Sequence, residues 1–223
     1  MAQFRFPHWL TEFELPPAFS LLAYFTFGIT GALAGVKRGY DVIGVTFLAL
    51  ITAGGGGLIR DGILISRGPP SILTDTSAML AVLAAAIVTM LLHKHVERLA
   101  RTIAFVDALG LGPFAVHGVQ RSMEAGLSVP AVVLGGTITA VGGGLMRDIL
   151  VREEPLLFKP GQFYSLVAIL GCCLFVALLR LGWTTPNLAA LITSVAVFVT
   201  RMLAIRFNWR TRALYRVPLD PTT

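Results

Sequence analysis

The sequence predicts an all-α membrane protein with seven transmembrane helices, built as two oppositely directed three-helix repeats followed by one more helix. Three observations predict it. With 55% hydrophobic and 13% charged residues, a chain of 223 residues has too little polar surface to cover a soluble domain, and the mean hydropathy of +0.77 places it in lipid. Stretches free of Asp, Glu, Lys and Arg recur at the length of a bilayer crossing. An unusual string also occurs twice: Ile51-Thr-Ala-Gly-Gly-Gly-Gly-Leu-Ile-Arg60-Asp61 and Ile138-Thr-Ala-Val-Gly-Gly-Gly-Leu-Met-Arg147-Asp148, nine of eleven positions identical at an offset of 87. At that offset Phe27, Gly31, Gly39 and Val42 match Phe114, Gly118, Gly126 and Val129.

In chain order the uncharged spans are Leu15 to Val36, Val42 to Ile59, Thr76 to Leu92, Ala125 to Met146, Gly161 to Leu179 and Leu181 to Thr200, each close to the roughly 20 residues that cross a hydrocarbon core. A weaker span, Thr102 to Gln120, is interrupted by Asp107, but it takes the place in the second copy that Leu15 to Val36 takes in the first. The whole chain reads as a single transmembrane domain: repeat 1 at about 15–95, repeat 2 at about 101–180, a seventh helix at about 181–206 and a basic tail at 207–223. Arg5, Pro7, Glu12 and Glu14 precede the first apolar run without a cleavable signal pattern, so that run is expected to stay. Cys172 and Cys173 are adjacent on one helix, where they can neither pair without strain nor ligate a metal, and read as small core residues.

Basic residues set the orientation. One set of loops and the tail carry Lys37, Arg38, Lys94, Arg98, Arg101, Arg152, Lys159, Arg206, Arg210, Arg212 and Arg216, against Arg5, Arg67, Arg121 and Arg180 on the other side. The positive-inside rule then puts the N-terminus outside and the tail in the cytoplasm of a bacterial or archaeal inner membrane. The net charge of +6 is largely topological, with the tail cluster free to touch anionic membrane lipids; it is no argument for nucleic acid.

Three helices per copy is an odd number, so the second copy must enter the membrane in the opposite direction. Interrupted apolar segments at matching places of two such halves point to a binding or conduction site. Glycine costs roughly 1 kcal/mol of helix propensity relative to alanine, so Gly55, Gly56 and Gly57 in the second span and Gly142, Gly143 and Gly144 in the fifth are expected to kink or unwind. Freed carbonyls would face a wet path and hold a monovalent cation. The alternative is that the triplets only let two helices cross closely. Thr52 and Thr139, one turn before the glycines, would lend hydroxyls to the path or bond back to their own helices.

Arg60 with Asp61 and Arg147 with Asp148 lie about five residues beyond the middle glycine, in opposite directions. At ~1.5 Å per residue the two pairs fall about 15 Å apart, too far to pair across, which places one at each mouth of the path. The other reading is that they anchor helix ends by snorkelling. Asp107, the one acidic residue deep in its span, is a candidate functional carboxylate or a helix cap. His117 reads as a packing residue, His93 and His95 as solvated, and Gly28, Gly31 and Gly35 as a small-residue face for close helix contact.

The run Phe27-Gly28 through Gly31-Ala-Leu-Ala-Gly35, Asp41-Val-Ile-Gly44, Thr52 to Asp61, Asp107-Ala-Leu-Gly-Leu-Gly-Pro-Phe114 and the second Gly-Gly-Gly-Leu-Met-Arg-Asp148 resembles the prokaryotic relatives of the trimeric intracellular cation (TRIC) channels. The resemblance covers about residues 20 to 206. It implies a homotrimer whose subunits each hold an hourglass pore around kinked second and fifth helices, conducting potassium and sodium, with the triplets as kink sites and the Arg-Asp pairs as repeated polar groups. The same bacterial group is often labelled a glycine transporter, so a secondary transporter of a small amino acid is the competing reading. No Gly-x-Ser-x-Gly, His-Glu-x-x-His or phosphate-loop string is present, which points away from an enzyme, and no cofactor is expected beyond the permeant ion. On this reading, leucine at Gly56 and Gly143 abolishes current without preventing assembly.

Overall fold

The computed structural model describes residues 15–65, 68–92, 99–159 and 163–209, and every regular element among them is helical. Helix α1 (Pro17–Lys37) opens on a proline, whose missing N–H is harmless at a helix start, and closes on a turn at Gly39 with φ +72°. Asp41 caps α2 (Val42–Ile59), its carboxylate accepting the Gly44 N–H at 2.8 Å. Helix α2 passes directly into a π-helical turn, Arg60–Ile65. A single turn, α3 (Ser71–Thr74), leads to α4 (Thr76–Leu92). Helix α5 (Leu99–Glu124) contains Pro113 and ends at Gly126, φ +73°, the repeat counterpart of Gly39 with the same left-handed backbone. After α6 (Val129–Leu150) come α7 (Tyr164–Leu181), stopped by Gly182 at φ +64°, and α8 (Pro186–Arg206), capped by the Thr185 hydroxyl.

Six of these helices are long and apolar enough to cross a bilayer: α1, α2 with its π turn, α5, α6, α7 and α8; the apolar α4, at 17 residues, is shorter. Exposed Val42, Ile43 and Phe47 on α2, Leu80, Ile87 and Leu91 on α4 and Leu188, Leu191 and Val195 on α8 form an apolar outer surface that only lipid or another apolar surface can cover. The interior is rich in small residues, with Ala23, Ala49, Ala85, Ala108, Ala115, Ala140, Ala168 and Ala189 fully buried. Because lipid tails are as apolar as leucine, helices in a membrane gain by approaching closely, and small side chains allow it. The helices are thus apolar outward and small inward, and the protein is an all-helical membrane protein.

Packing follows the duplication. Helix α1 meets α2 and α4 as α5 meets α6 and α7; across the middle, α1 touches α5 and α2 touches α6, while α8 lies against α5 and α7. Phe27 and Phe114, equivalent residues of the two copies, meet edge to face with centroids 4.7 Å apart. Of the two cysteines, only Cys172 is core; Cys173 is exposed on the outer face of α7. His117 is packed edge-on against Tyr24. His93, His95, Arg5, Arg67, Lys94, Arg98, Arg210, Arg212 and Arg216 lie outside the described residues.

Candidate functional site

The glycine triplets bring α2 and α6 into backbone contact. A methyl added to Gly142 would stand 2.9 Å from the Gly56 Cα, and one on Gly55 would stand 3.3 Å from the Gly143 Cα. One on Gly56 would run into the Thr139 carbonyl, and one on Gly143 into the Thr52 carbonyl. These last two collisions are the same contact seen from either copy, since Thr52 and Gly56 are the counterparts of Thr139 and Gly143.

The expected unwinding is absent. α-Helix continues through Gly54 to Gly57 and through Gly142 to Gly144, and the Gly56 and Gly57 carbonyls both receive the Arg60 N–H. A glycine pays its helix penalty here by letting two backbones touch, and that contact keeps the turns wound. The irregular backbone falls one step later, in the π turn that begins at Arg60; an extra residue per turn at such a place re-aims the side chains that follow.

Thr52 and Thr139 both donate to their own helices, at 2.6 Å to the Leu48 and Gly135 carbonyls. They also pack alike, against Gly31 and Gly118. Beyond them sit the two arginines, essentially sealed from solvent, Arg60 at 0% and Arg147 at 3% exposure. Neither pairs across the molecule. Arg60 grips its neighbour Asp61 with two hydrogen bonds, Nε to Oδ1 at 2.7 Å and NH2 to Oδ2 at 2.8 Å, and extends NH1 to the Thr139 hydroxyl at 3.2 Å. Arg147 donates from Nε to Asp148 Oδ1 at 2.9 Å and from NH1 to Asp107 Oδ1 at 3.2 Å. Full burial of both guanidiniums is incompatible with simple anchoring at the interface; paired and hydrogen-bonded is how buried charge survives.

A cavity of about 680 Å³ opens at the Arg147 end, with Asp107, Arg147, Asp148 and Arg201 in its wall and Lys37, Arg101, Glu153, Glu154 and Lys159 nearer its rim. Asp148 Oδ2 accepts the Leu156 N–H at 3.2 Å, folding the segment after α6 back over this end. At the rim Glu153 takes Lys37 at 2.9 Å and Arg38 at 3.2 Å. The Lys37 hydrogen bond holds the Glu153 carboxyl below its ordinary range.

Two residues of this end were not singled out by sequence. Tyr164, at the start of α7, is buried beside Asp107, and the Arg201 guanidinium of α8 lies over its ring at 4.9 Å. Arg201, at 1% exposure, was a signal available in the sequence as an arginine five residues inside the last apolar helix. Asp107 itself is 1% exposed and within an unbroken α5, so it is a buried partner and not a cap.

A family model described as Glycine transporter matches the chain over residues 18–94 and 104–180. A UPF0126 inner membrane protein of Escherichia coli, YadS, is 30% identical over 183 residues, 82% of this chain and 87% of that one. A UPF0126 membrane protein of Streptomyces coelicolor is 39% identical over 192 residues, 86% of this chain and 87% of its own. A solved TRIC trimeric intracellular cation channel orthologue from Rhodobacter sphaeroides is 29% identical and superposes with a TM-score of 0.79 over 86% of this chain and 97% of its own. The chain belongs to the prokaryotic TRIC family. A second TRIC structure, described as a basis for conductance through TRIC cation channels, covers 90% of this chain at 29% identity and a TM-score of 0.78. A more distant TRIC counter-ion channel, 18% identical with a TM-score of 0.59, shares the fold. In this chain the TRIC fold holds the glycine crossing and the buried Arg-Asp pairs described above.

Proposed function

We propose that the protein is a monovalent-cation channel passing potassium and sodium along one path per subunit, between α2 and α6, in a homotrimer. The observation that carries the reading is the cavity that runs from the rim to buried Asp107, Arg147 and Asp148, about one and a half helical turns along α6 from the contact between Gly56 and Gly142. Buried charge beside a solvent-sized space in a membrane helix bundle marks an ion route. The likeness to solved cation channels supports the same reading.

In this reading the packed crossing is the closed constriction. Bending α2 and α6 at Gly55 to Gly57 and Gly142 to Gly144 separates the copies, and the groups left facing the gap are the Thr52 and Thr139 carbonyls, each now seated on a glycine of the other copy. Carbonyl dipoles of that kind replace part of an ion's hydration shell, so the ion passes near the triplet backbones. Arg60 and Asp61 stand at one mouth, Arg147, Asp148 and Asp107 at the other. The two copies run in opposite directions, α4 completes a seven-helix subunit, and the basic ends place the cavity on the cytoplasmic side with the N-terminus outside.

Planar-bilayer recording of purified protein under a potassium gradient tests this. Unitary current steps reversing near the potassium equilibrium potential are expected; saturable glycine uptake without steps would overturn it in favour of a carrier.

A further inference from the structure

The two copies of the glycine string part at Gly54, whose counterpart is Val141. In the second copy Val141 fills its own place with a buried side chain. In the first, Gly54 leaves that place to Ile72 of α3, whose Cγ2 would stand 3.0 Å from a methyl added to the glycine. Ile72 is buried although α3 is a single helical turn. Ser71 beside it shares a side-chain hydrogen bond with Tyr24 of α1, and Tyr24 lies within electrostatic reach of Arg60 and Asp61. From Gly54 to Ile65, the end of the π turn, is eleven residues, roughly 16 Å at a helical rise. The chain therefore dips back toward the middle of the membrane to seat Ile72, and α4, which starts directly after this dip, has only 17 residues for its crossing.

The same seat is not built at the other end. The counterparts of Tyr24, Ser71 and Ile72 are Leu111, Phe158 and Lys159. Leu111 has no hydroxyl to offer, Phe158 is exposed, and Lys159 lies at the rim of the open cavity. A receiving glycine, an apolar plug and a polar tie thus occur together at the Arg60 mouth, and none of the three has an equivalent at the Arg147 mouth.

What holds α3 down is slight. Pro70 and Ile72 are buried, but Leu73, Thr74 and Asp75 are exposed, and Gly68 ahead of them has φ +92°, a bend that glycine takes without strain. Segments with so few buried contacts open at little cost in free energy, and moving gates are drawn from them.

We propose that α3 is the outer gate of the path: seated on Gly54 and tied to Tyr24 it closes the Arg60 mouth, and lifted it opens that mouth to water and cations. The gate acts in series with the glycine crossing, and it rests on the reading of the path as a cation route.

Hydrogen–deuterium exchange on the full-length protein in lipid nanodiscs, with planar-bilayer recording of the same samples, tests it. The Leu73 and Asp75 amides donate within this turn, to the Pro70 and Ser71 carbonyls at 2.8 Å each, and a lone turn does not persist in water, so lifting α3 exposes both. Tyr24→Phe, which keeps the ring against Phe114 and His117, should speed exchange at 71–75 about two- to tenfold and raise the open probability in proportion. Ser71→Ala should match it, the double variant should add nothing further, and Ile72→Ala should exceed both. Exchange at 71–75 that neither Tyr24→Phe nor Ile72→Ala alters overturns the gate. Faster exchange in channels that open no more often than the wild type overturns the gate alone and leaves conduction standing. Absence of current from the wild type and every variant overturns the channel reading, and the gate with it.

Discussion

Thr139 and Thr52 offer a controlled comparison at the scale of one residue. They occupy equivalent places, bond back to their helices alike and press on equivalent glycines, but only Thr139 also receives a guanidinium. Thr139→Val should therefore cost more than Thr52→Val by about 1–3 kcal/mol, the penalty for a buried charged donor left without its acceptor, read as the difference in unfolding midpoints in detergent. Asp61→Asn removes the counter-charge of an arginine with 0% exposure and should cost about 3–5 kcal/mol. Glu153 behaves otherwise because it is exposed. Its lowered carboxyl contributes stability that is fully present above its ordinary range and is lost as pH falls through the lowered value. Glu153→Gln should thus cost under about 1 kcal/mol at neutral pH, and pH should leave this contact unaffected from 6 to 8. The Arg-Asp pairs were legible as functional candidates because the sequence writes them twice. Tyr164 was not, and Arg201 was legible only as a charge inside the last apolar helix, since both come from helices outside the doubled string and reach Asp107 only through the packing of α5, α7 and α8.

At the scale of the element, the doubled string predicted which helices matter and misread what glycine does in them. Sequence supplies the propensity cost of three glycines but not the neighbour whose backbone they admit, so unwinding and close crossing looked alike until Gly56 was seen against the Thr139 carbonyl. The consequence for mutagenesis is sharp. Even alanine at Gly56 or Gly143 meets a backbone carbonyl, which cannot swing aside as a side chain can, and each should destabilise by about 1–3 kcal/mol. Leucine there is expected to disturb folding as well as current, which replaces the expectation that assembly survives. Gly62, in the π turn with nothing within 4 Å of an added methyl, is the control: Gly62→Ala should leave the unfolding midpoint unchanged or higher. The π turn itself had no sequence signal, because the Leu-Ile-Arg-Asp and Leu-Met-Arg-Asp strings are nearly the same and only the first ends in one.

Over the whole molecule, composition and charge-free span lengths were enough to place the chain in a membrane, and α1, α2, α4, α6, α7 and α8 stand at those spans. The weak span around Asp107 was recovered by the repeat alone, and α5 proves to be the 26-residue helix at the centre of the packing. Covalent cross-linking of purified protein should saturate at three subunits, and a ladder ending at two would contradict the proposed assembly.

The mutual seating of Gly56 on Thr139 and Gly143 on Thr52 has a further result. Each copy supplies both the knob and the socket of this contact, so each half carries its own share of the surface that joins it to the other. Severed in the connection between α4 and α5 and produced as separate pieces, the halves should find each other again, because what unites them is a handshake and not the tether.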